Sequence, residues 1–372
     1  MRIAIICRPF VFYGGLETAT HGLVGEFVKQ GYDLHLFSPR GQLPVPGVTL
    51  HRLPVLPHPS TARLVSFAVA ARAAVRHGDF DVVQSHERSL AQDIYRAGEG
   101  CHRAYLQIKA RHLGSAGRLA LRANPFHLTL LALERRIFTS GSTRRIVAIS
   151  RQSQREIREL YGVPDSTLSV IYNGVDQQRF HPDHRERYGP AIRATFGIPG
   201  EAWVILMVGS GFERKGLAPL LEGFARLRDR EARLLVVGKG NPAPYRALAE
   251  RLGVAGGLVW AGPRPDVERF YAAADLVALP ALYEPFGNVH VEALAAGLPV
   301  LASYRSGGAE VITHGETGWI VHDPEDPAAI ASGLEALRGL DRLRVTERAR
   351  QSVRPFTFTA QVRAFADLYR TL

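Results

Sequence analysis

The sequence predicts an α/β protein built as two doubly wound domains in tandem, each a parallel sheet with helices on both faces. Short apolar runs alternate with helix-like stretches along the chain. The alternation lapses once, at a turn-rich and then Pro-bearing stretch, and starts again beyond it. The 372 residues suffice for two buried cores and are long for one.

The first series opens with Arg2–Cys7, an apolar run of strand composition cut short by Arg8 and Pro9. Gly14-Gly15 then turns the chain into a helix-like stretch that ends near Lys29. Asp33–Ser38, Val48–Leu53, Asp81–Ser85, Arg145–Ile149 and Leu168–Ile171 read as further strands, with helices over Thr61–Arg76 and Gln152–Leu160. The lapse is Asn173-Gly174-Val175-Asp176 followed by the polar His181–Pro190, so the first domain is expected to span residues 1–176. Trp203–Val208, Arg233–Val237, Leu258–Trp260, Leu276–Leu279, Val300–Ala302 and Trp319–Val321 form the second series, placed in residues 177–354. In such folds ligands sit at the carboxyl ends of the strands, and the chemistry is sought there.

Apolar residues make up 46% and charged residues 22%, as in ordinary globular proteins. No run approaches the roughly 18 apolar residues of a membrane span, and the opening strand is too short for a signal-peptide core. A cytoplasmic protein is therefore expected. Cys7 and Cys101 have no metal or disulfide spacing and read as structural thiols. The net charge of +11 calls for an acidic counterpart: nucleic acid, anionic lipid or a phosphorylated substrate. No nucleic-acid motif accompanies the charge, so no nucleic-acid partner is expected. The segment from 101 to 145 sets nine basic residues against the single acid Glu134, with Tyr105, Leu119, Phe126 and Leu128 among the apolar residues between them. Such a stretch suits an anionic membrane surface, or equally a solvated helix with a core-facing stripe.

Three loops carry candidate chemistry. Glu284-Pro-Phe-Gly-Asn-Val-His-Val-Glu292 follows a strand and opens a helix, which puts Phe286, Gly287, Asn288 and Val289 at a helix N-terminus suited to phosphate. The two flanking carboxylates are better fitted to sugar hydroxyls than to an anion. Val208-Gly-Ser-Gly-Phe-Glu-Arg214-Lys215-Gly216 is a second strand-to-helix loop, whose adjacent cations can neutralise a leaving diphosphate as a metal would. Pro9–Glu17 is the third, its paired glycines allowing close backbone approach. Gly238-Lys-Gly-Asn-Pro-Ala243 satisfies a loose dinucleotide fingerprint, but Pro242 and Pro244 fit the start of its helix poorly and a lone glycine motif is weak. His86-Glu87 lacks the second histidine of a zinc protease, since position 90 is Leu. No spacing suggests a metal site, and no metal or other cofactor is expected.

In this order the signals resemble the family 4 retaining glycosyltransferases of GT-B fold. The match runs from Gly14-Gly15-Leu16-Glu17 through Val147-Ala-Ile-Ser150, Asn173-Gly-Val-Asp176 and Arg214-Lys215-Gly216 to Glu284…Glu292. Within the family, Phe12-Tyr13-Gly14-Gly15-Leu16, Asp93-Ile94-Tyr95-Arg96-Ala97, the Gly209–Gly216 loop and the basic stretch after Cys101 are most similar to the lipopolysaccharide core glucosyltransferases that act on an inner-core heptose. The resemblance implies two Rossmann-like domains facing each other across a cleft, with the end of the chain, residues 355–372, crossing back to the first. That domain would take the acceptor and the second the nucleotide sugar. It assigns Glu284 to the donor sugar, Glu292 to the ribose, and Phe286 to Val289 to the sugar and distal phosphate. Arg214 and Lys215 become the diphosphate clamp, Gly15 the glycine facing the phosphate, and Arg264 a neighbour of the base. His86 and Asp93 are both offered as the group that assists the acceptor hydroxyl, with Glu99 a third. Ser210 departs from the family, where that position is often basic. Pro285, Phe286, Asn288 and His290 are closer to the wider family than to the subgroup.

The resemblance thus implies transfer of a hexose, glucose from UDP-glucose, onto a phosphorylated heptose-containing glycolipid, without metal, at the inner face of the cytoplasmic membrane and with peripheral contact through about 101–145. UDP-N-acetylglucosamine or GDP-mannose with another acceptor is the nearer alternative. A basic lipid- or nucleic-acid-binding module without activity is the alternative from another class.

Overall fold

A computed structural model describes residues 1–10, 15–76 and 78–372; of Leu16 only the backbone is described. Gly14 and its neighbours Phe12 and Tyr13 lie outside the described residues. The described chain forms two compact units, residues 1–173 with 358–372, and residues 174–357, with Gly15 counted with the second.

The first unit begins β1 (Arg2–Ile6), α1 (Gly15–Lys29), β2 (Asp33–Pro39), β3 (Val48–Leu53), α2 (Ser60–Val75) and β4 (Val82–Ser85). It continues with β5 (Ile94–Ala97), α3 (His102–Arg111), α4 (Ser115–Ala123), α5 (Pro125–Thr139), β6 (Arg145–Ala148), α6 (Arg151–Tyr161) and β7 (Leu168–Val170). The second unit holds α7 (His184–Thr195), β8 (Val204–Val208), α8 (Leu217–Phe224), β9 (Arg233–Val237), α9 (Ala243–Arg251), β10 (Leu258–Gly262) and α10 (Glu268–Ala273). Then come β11 (Leu276–Leu279), α11 (Asn288–Ala295), β12 (Val300–Ser303), β13 (Gly318–Val321), α12 (Pro327–Arg338) and α13 (Arg342–Val353). The last helix, α14 (Phe358–Tyr369), belongs to the first unit.

Every strand pairing among the described residues is parallel. The strand orders are β3-β2-β1-β4-β5-β6-β7 and β10-β9-β8-β11-β12-β13, each reversing direction once, beside β1 and beside β8. This is the doubly wound, Rossmann-like order, and its crevice opens where the order reverses, between β1 and β4 and between β8 and β11. The central strands are buried on both faces, which is why they read as continuous apolar runs instead of alternating ones.

β5 has no counterpart among the strands expected from sequence. Its four residues, Ile94-Tyr-Arg-Ala97, are all buried, but a buried arginine interrupts the apolar run by which such strands are recognised. The dinucleotide-like loop also needs a correction: α9 forms despite Pro242 and Pro244, because Pro is tolerated before and within a first helical turn, where no intrahelical N–H is needed. The chain leaves the first unit after Asn173 and returns at Phe358, whereas the sequence placed these crossings at 176 and 355. The reason is local: the Val175 N–H donates to the Phe356 carbonyl at 3.0 Å, so both connecting segments pair within the second unit. From α14, Val362, Phe365 and Tyr369 enter the core of the first unit beside Leu23, Phe27 and Ile94. No helix among the described residues is long and apolar enough to cross a membrane.

Candidate active site

The two loops at the β8–β11 reversal meet. The loop after β8 ends at Gly216, in the left-handed region with φ 77°, and α8 follows it. A Cβ on Gly216 would lie 2.0 Å from the Pro280 carbonyl oxygen, so only glycine lets this loop close onto the exit of β11. The Leu282 N–H donates to the Arg214 carbonyl at 2.9 Å, and Arg214 Nη1 donates to the Tyr283 carbonyl at 2.8 Å. These contacts carry both cations to Glu284. Arg214 Nη1 lies 3.0 Å from Glu284 Oε2, and Lys215 Nζ donates to the same oxygen. Lys215 and Glu284 are both buried.

Burial alone would raise the Glu284 carboxyl, but Lys215 and Arg214 outweigh it and hold the group at about 2. Burial also draws Lys215 below its ordinary value, against the pull of Glu284. The result is a buried carboxylate shared by two cations, which leaves the cluster with one net positive charge in the ligand-free chain.

Beyond Glu284 the chain makes the turn that opens α11. Gly287 is again left-handed, φ 81°, and its carbonyl accepts from the His290 N–H at 2.9 Å and lies 2.8 Å from His290 Nδ1. Phe286 and Val289 are buried, and Asn288 begins the helix, so the positive end of the helix dipole is directed at this turn. Glu292, one turn inside α11, is buried rather than solvated, and its Oε2 accepts from the Tyr271 hydroxyl at 2.6 Å. Burial raises the Glu292 carboxyl despite that hydrogen bond. Tyr271 was missed by sequence reasoning. Its position in the short helix α10 resembles any core aromatic, and only the tertiary contact shows that it orients Glu292. His290, to which the sequence assigns no role, is fully buried and braces the Gly287 turn.

The remaining predicted residues fall elsewhere. Arg264, just beyond β10, donates from Nε to the Ala261 carbonyl at 3.1 Å and lies over the rings of Phe196 and Phe270 at 5.3 and 5.6 Å. Its guanidinium is therefore engaged with the α7 and α10 side of the unit. Gly15 is the first residue of α1.

Of the three acceptor-side candidates, Asp93 is a correction. It precedes β5, at the amino edge of a parallel sheet whose ligand edge is the other one, and its Oδ2 accepts from the Val83 N–H at 2.9 Å. The carboxylate closes the start of the strand. His86 does lie at the carboxyl edge, directly after β4, but its ring is buried and burial keeps it neutral, its proton affinity well below the ordinary range. Glu99 is also at that edge, between Arg8 and Arg88, which together outweigh its burial and hold it at about 2. A carboxylate so stabilised is a poor base. Among the described residues no cluster of His, Cys, Asp and Glu could hold a metal ion.

Two family models match the chain: Glycosyltransferase Family 4 over residues 13–179 and Glycosyl transferases group 1 over residues 190–351. The chain belongs to the family 4/group 1 glycosyltransferases. It is 32% identical over 342 residues to a protein of Burkholderia thailandensis described as a probable transglycosylase, covering 91% of this chain and 87% of that one. It is 26% identical over 332 residues to the lipopolysaccharide glucosyltransferase WaaG of Escherichia coli K12, covering 87% and 86%. The crystal structure of WaaG, a glycosyltransferase involved in lipopolysaccharide biosynthesis, superposes with a TM-score of 0.83 over 99% of both chains. The two Rossmann-like units of this glycosyltransferase are thus those of the GT-B fold.

Proposed function

We propose that this glycosyltransferase moves glucose from UDP-glucose onto an inner-core heptose of a phosphorylated lipopolysaccharide core, with retention and without a metal. The observation that carries the reading is the Arg214–Lys215–Glu284 cluster beside the N-terminus of α11, at the strand-order reversal of the second unit. The likeness to WaaG supports the donor and the acceptor class.

In this reading the donor diphosphate takes over the two cations, and the Glu284 carboxylate turns to hydroxyls of the sugar. As the bond from the anomeric carbon to the leaving phosphate breaks, negative charge grows on the phosphate oxygen beside Lys215 and Arg214. Fixed positive charge in a water-poor site stabilises that change without reorganising. The acceptor oxygen bonds to the anomeric carbon on the face the phosphate leaves, and the acceptor's proton passes to the departing phosphate. Glu292, oriented by Tyr271, accepts from the ribose. No strong protein base is needed, in keeping with a neutral, buried His86 and an Asp93 at the opposite edge.

The acceptor is brought to the protein at the inner face of the membrane. In α4 no residue is buried, and Leu119 and Leu128 are 70% and 53% exposed amid Arg111, Arg118 and Arg122. Apolar side chains within a basic field suit an anionic lipid surface.

Release of nucleoside diphosphate from UDP-glucose, UDP-N-acetylglucosamine and GDP-mannose, each with and without EDTA, tests the reading. UDP-glucose is expected to turn over fastest, with EDTA making no difference. Preference for another donor would reject the glucosyl assignment, and inhibition by EDTA would reject the cationic clamp.

A further inference from the structure

Buried donors without an acceptor gather at one place in the first unit. Arg96, the third residue of β5, is fully buried; its Nη2 donates to Asn173 Oδ1 at 2.5 Å, while Nε and Nη1 have no partner among the described residues. Ser85 pairs with Tyr95 across β4 and β5, so one step further along both strands sets His86 beside Arg96.

The tautomer of His86 is fixed from α14. The Tyr369 hydroxyl donates to Gln84 Oε1 at 2.8 Å, which leaves Gln84 Nε2 to donate to His86 Nε2, also at 2.8 Å. An amide nitrogen only donates, so His86 Nε2 accepts and the ring proton sits on Nδ1. That N–H is buried and, among the described residues, has no partner either.

Among the described residues no carboxylate pairs with the guanidinium. Glu87 is paired with Arg8, Glu99 with Arg8 and Arg88, and Glu134 with Arg88. Burial accordingly draws Arg96 down to about 10. An unpaired buried cation is among the costliest features a fold can carry, and buried donors are almost always satisfied. Here two strands, the chain at Asn173 and the C-terminal helix hold the arrangement in place.

We propose that Arg96 and His86, with Asn173 orienting the guanidinium, form a closed site for the oxygens of a phosphate group at the carboxyl edge of the first unit's sheet. Arg96 supplies the charge and an N–H, and His86 adds the Nδ1–H. Hydrogen bonds from a charged donor to an oxyanion are short and strong, and a phosphate satisfies several donors at once. The donors are covered in the ligand-free chain, so the phosphate enters by a local opening near Asn173. The phosphate belongs either to a sugar-phosphate substrate or to free inorganic phosphate. The inference stands apart from the donor site, because it uses no residue of the second unit.

Thermal unfolding of the full chain carrying Lys215→Ala, which disables the clamp, reads the site. Inorganic phosphate at millimolar concentration is compared with a hexose 6-phosphate and with the same hexose unphosphorylated. The midpoint is expected to rise with a phosphate compound and not with the plain hexose. Adding Arg96→Met should abolish the rise, while in phosphate-free buffer that variant is at least as stable as its parent, because an unpaired buried charge has gone. Adding His86→Phe should weaken phosphate binding by about tenfold, the worth of one hydrogen bond to a charged group, and His86→Asn, which keeps an N–H near the Nδ1 position, should restore it. A rise with the hexose phosphate assigns the site to substrate, and a rise with inorganic phosphate alone assigns it to the free anion. No rise with either compound, a rise that survives Arg96→Met, or loss of stability by that variant in phosphate-free buffer overturns the proposal.

Discussion

Lys215 and Glu284 are neighbours through a tertiary contact, but each was legible in the sequence from its own strand-to-helix loop. Glycine-bearing loops at such junctions are where an α/β fold admits ligands, and charged residues in them have few structural duties. Lys215→Ala is expected to lower kcat by about 10²–10³-fold, the usual cost of removing one fixed transition-state partner. Steady-state rates with UDP-glucose check it, and a near-normal rate would reject the clamp. Tyr271 was not legible, because an aromatic in a short buried helix is the commonest kind of core residue. Its hydroxyl orients Glu292. Tyr271→Phe is therefore expected to raise KM for the donor about tenfold, the value of one hydrogen bond to a charged group, with kcat little changed. An unchanged KM would show that Glu292 holds its place without help.

The basic segment shows how a single residue organises three helices. Glu134 of α5 was visible in the sequence only as the lone acid among nine cations. In the fold it is buried and accepts from Arg88 Nη2 at 2.9 Å, the Tyr161 hydroxyl at 2.6 Å, and the N–H groups of His102 and Arg103 at 2.8 and 3.1 Å. The last two bonds cap α3, which begins at His102 and has no capping side chain of its own at Cys101. Glu134→Ala leaves the buried Arg88 with one partner fewer and α3 uncapped, at an expected cost of about 3 kcal/mol. Chemical denaturation at neutral pH measures it, and a cost within about 0.5 kcal/mol, as at an ordinary surface position, would contradict the role. Periodicity along one element cannot reveal such an anchor, since its partners come from three separate parts of the chain. The same limit hid β5, where the arginine that breaks the strand signal is buried against Asn173, which lies far along the chain.

The two-unit architecture was readable because parallel strands buried on both faces leave long apolar runs, and because the series visibly restarts. The positions of the crossings were less readable. Asn173-Gly174-Val175-Asp176 looks like one turn, yet the boundary divides it, and backbone pairing between Val175 and Phe356 decides where each unit ends. The choice between Asp93 and His86 was beyond the sequence for a related reason. Which edge of the sheet a residue occupies depends on where its strand begins, and β5 was the strand that went unseen. With both edges known, unit two offers the cations and helix terminus that a diphosphate requires.

Crystals of the chain grown with UDP put this to the test. The distal phosphate should lie within hydrogen-bond distance of Lys215 Nζ, next to the first turn of α11, with the ribose on Glu292 and the Glu284 carboxylate no longer shared by both cations. UDP bound away from Arg214, Lys215 and the α11 terminus, or a Lys215–Glu284 pair left intact with UDP in place, would contradict it.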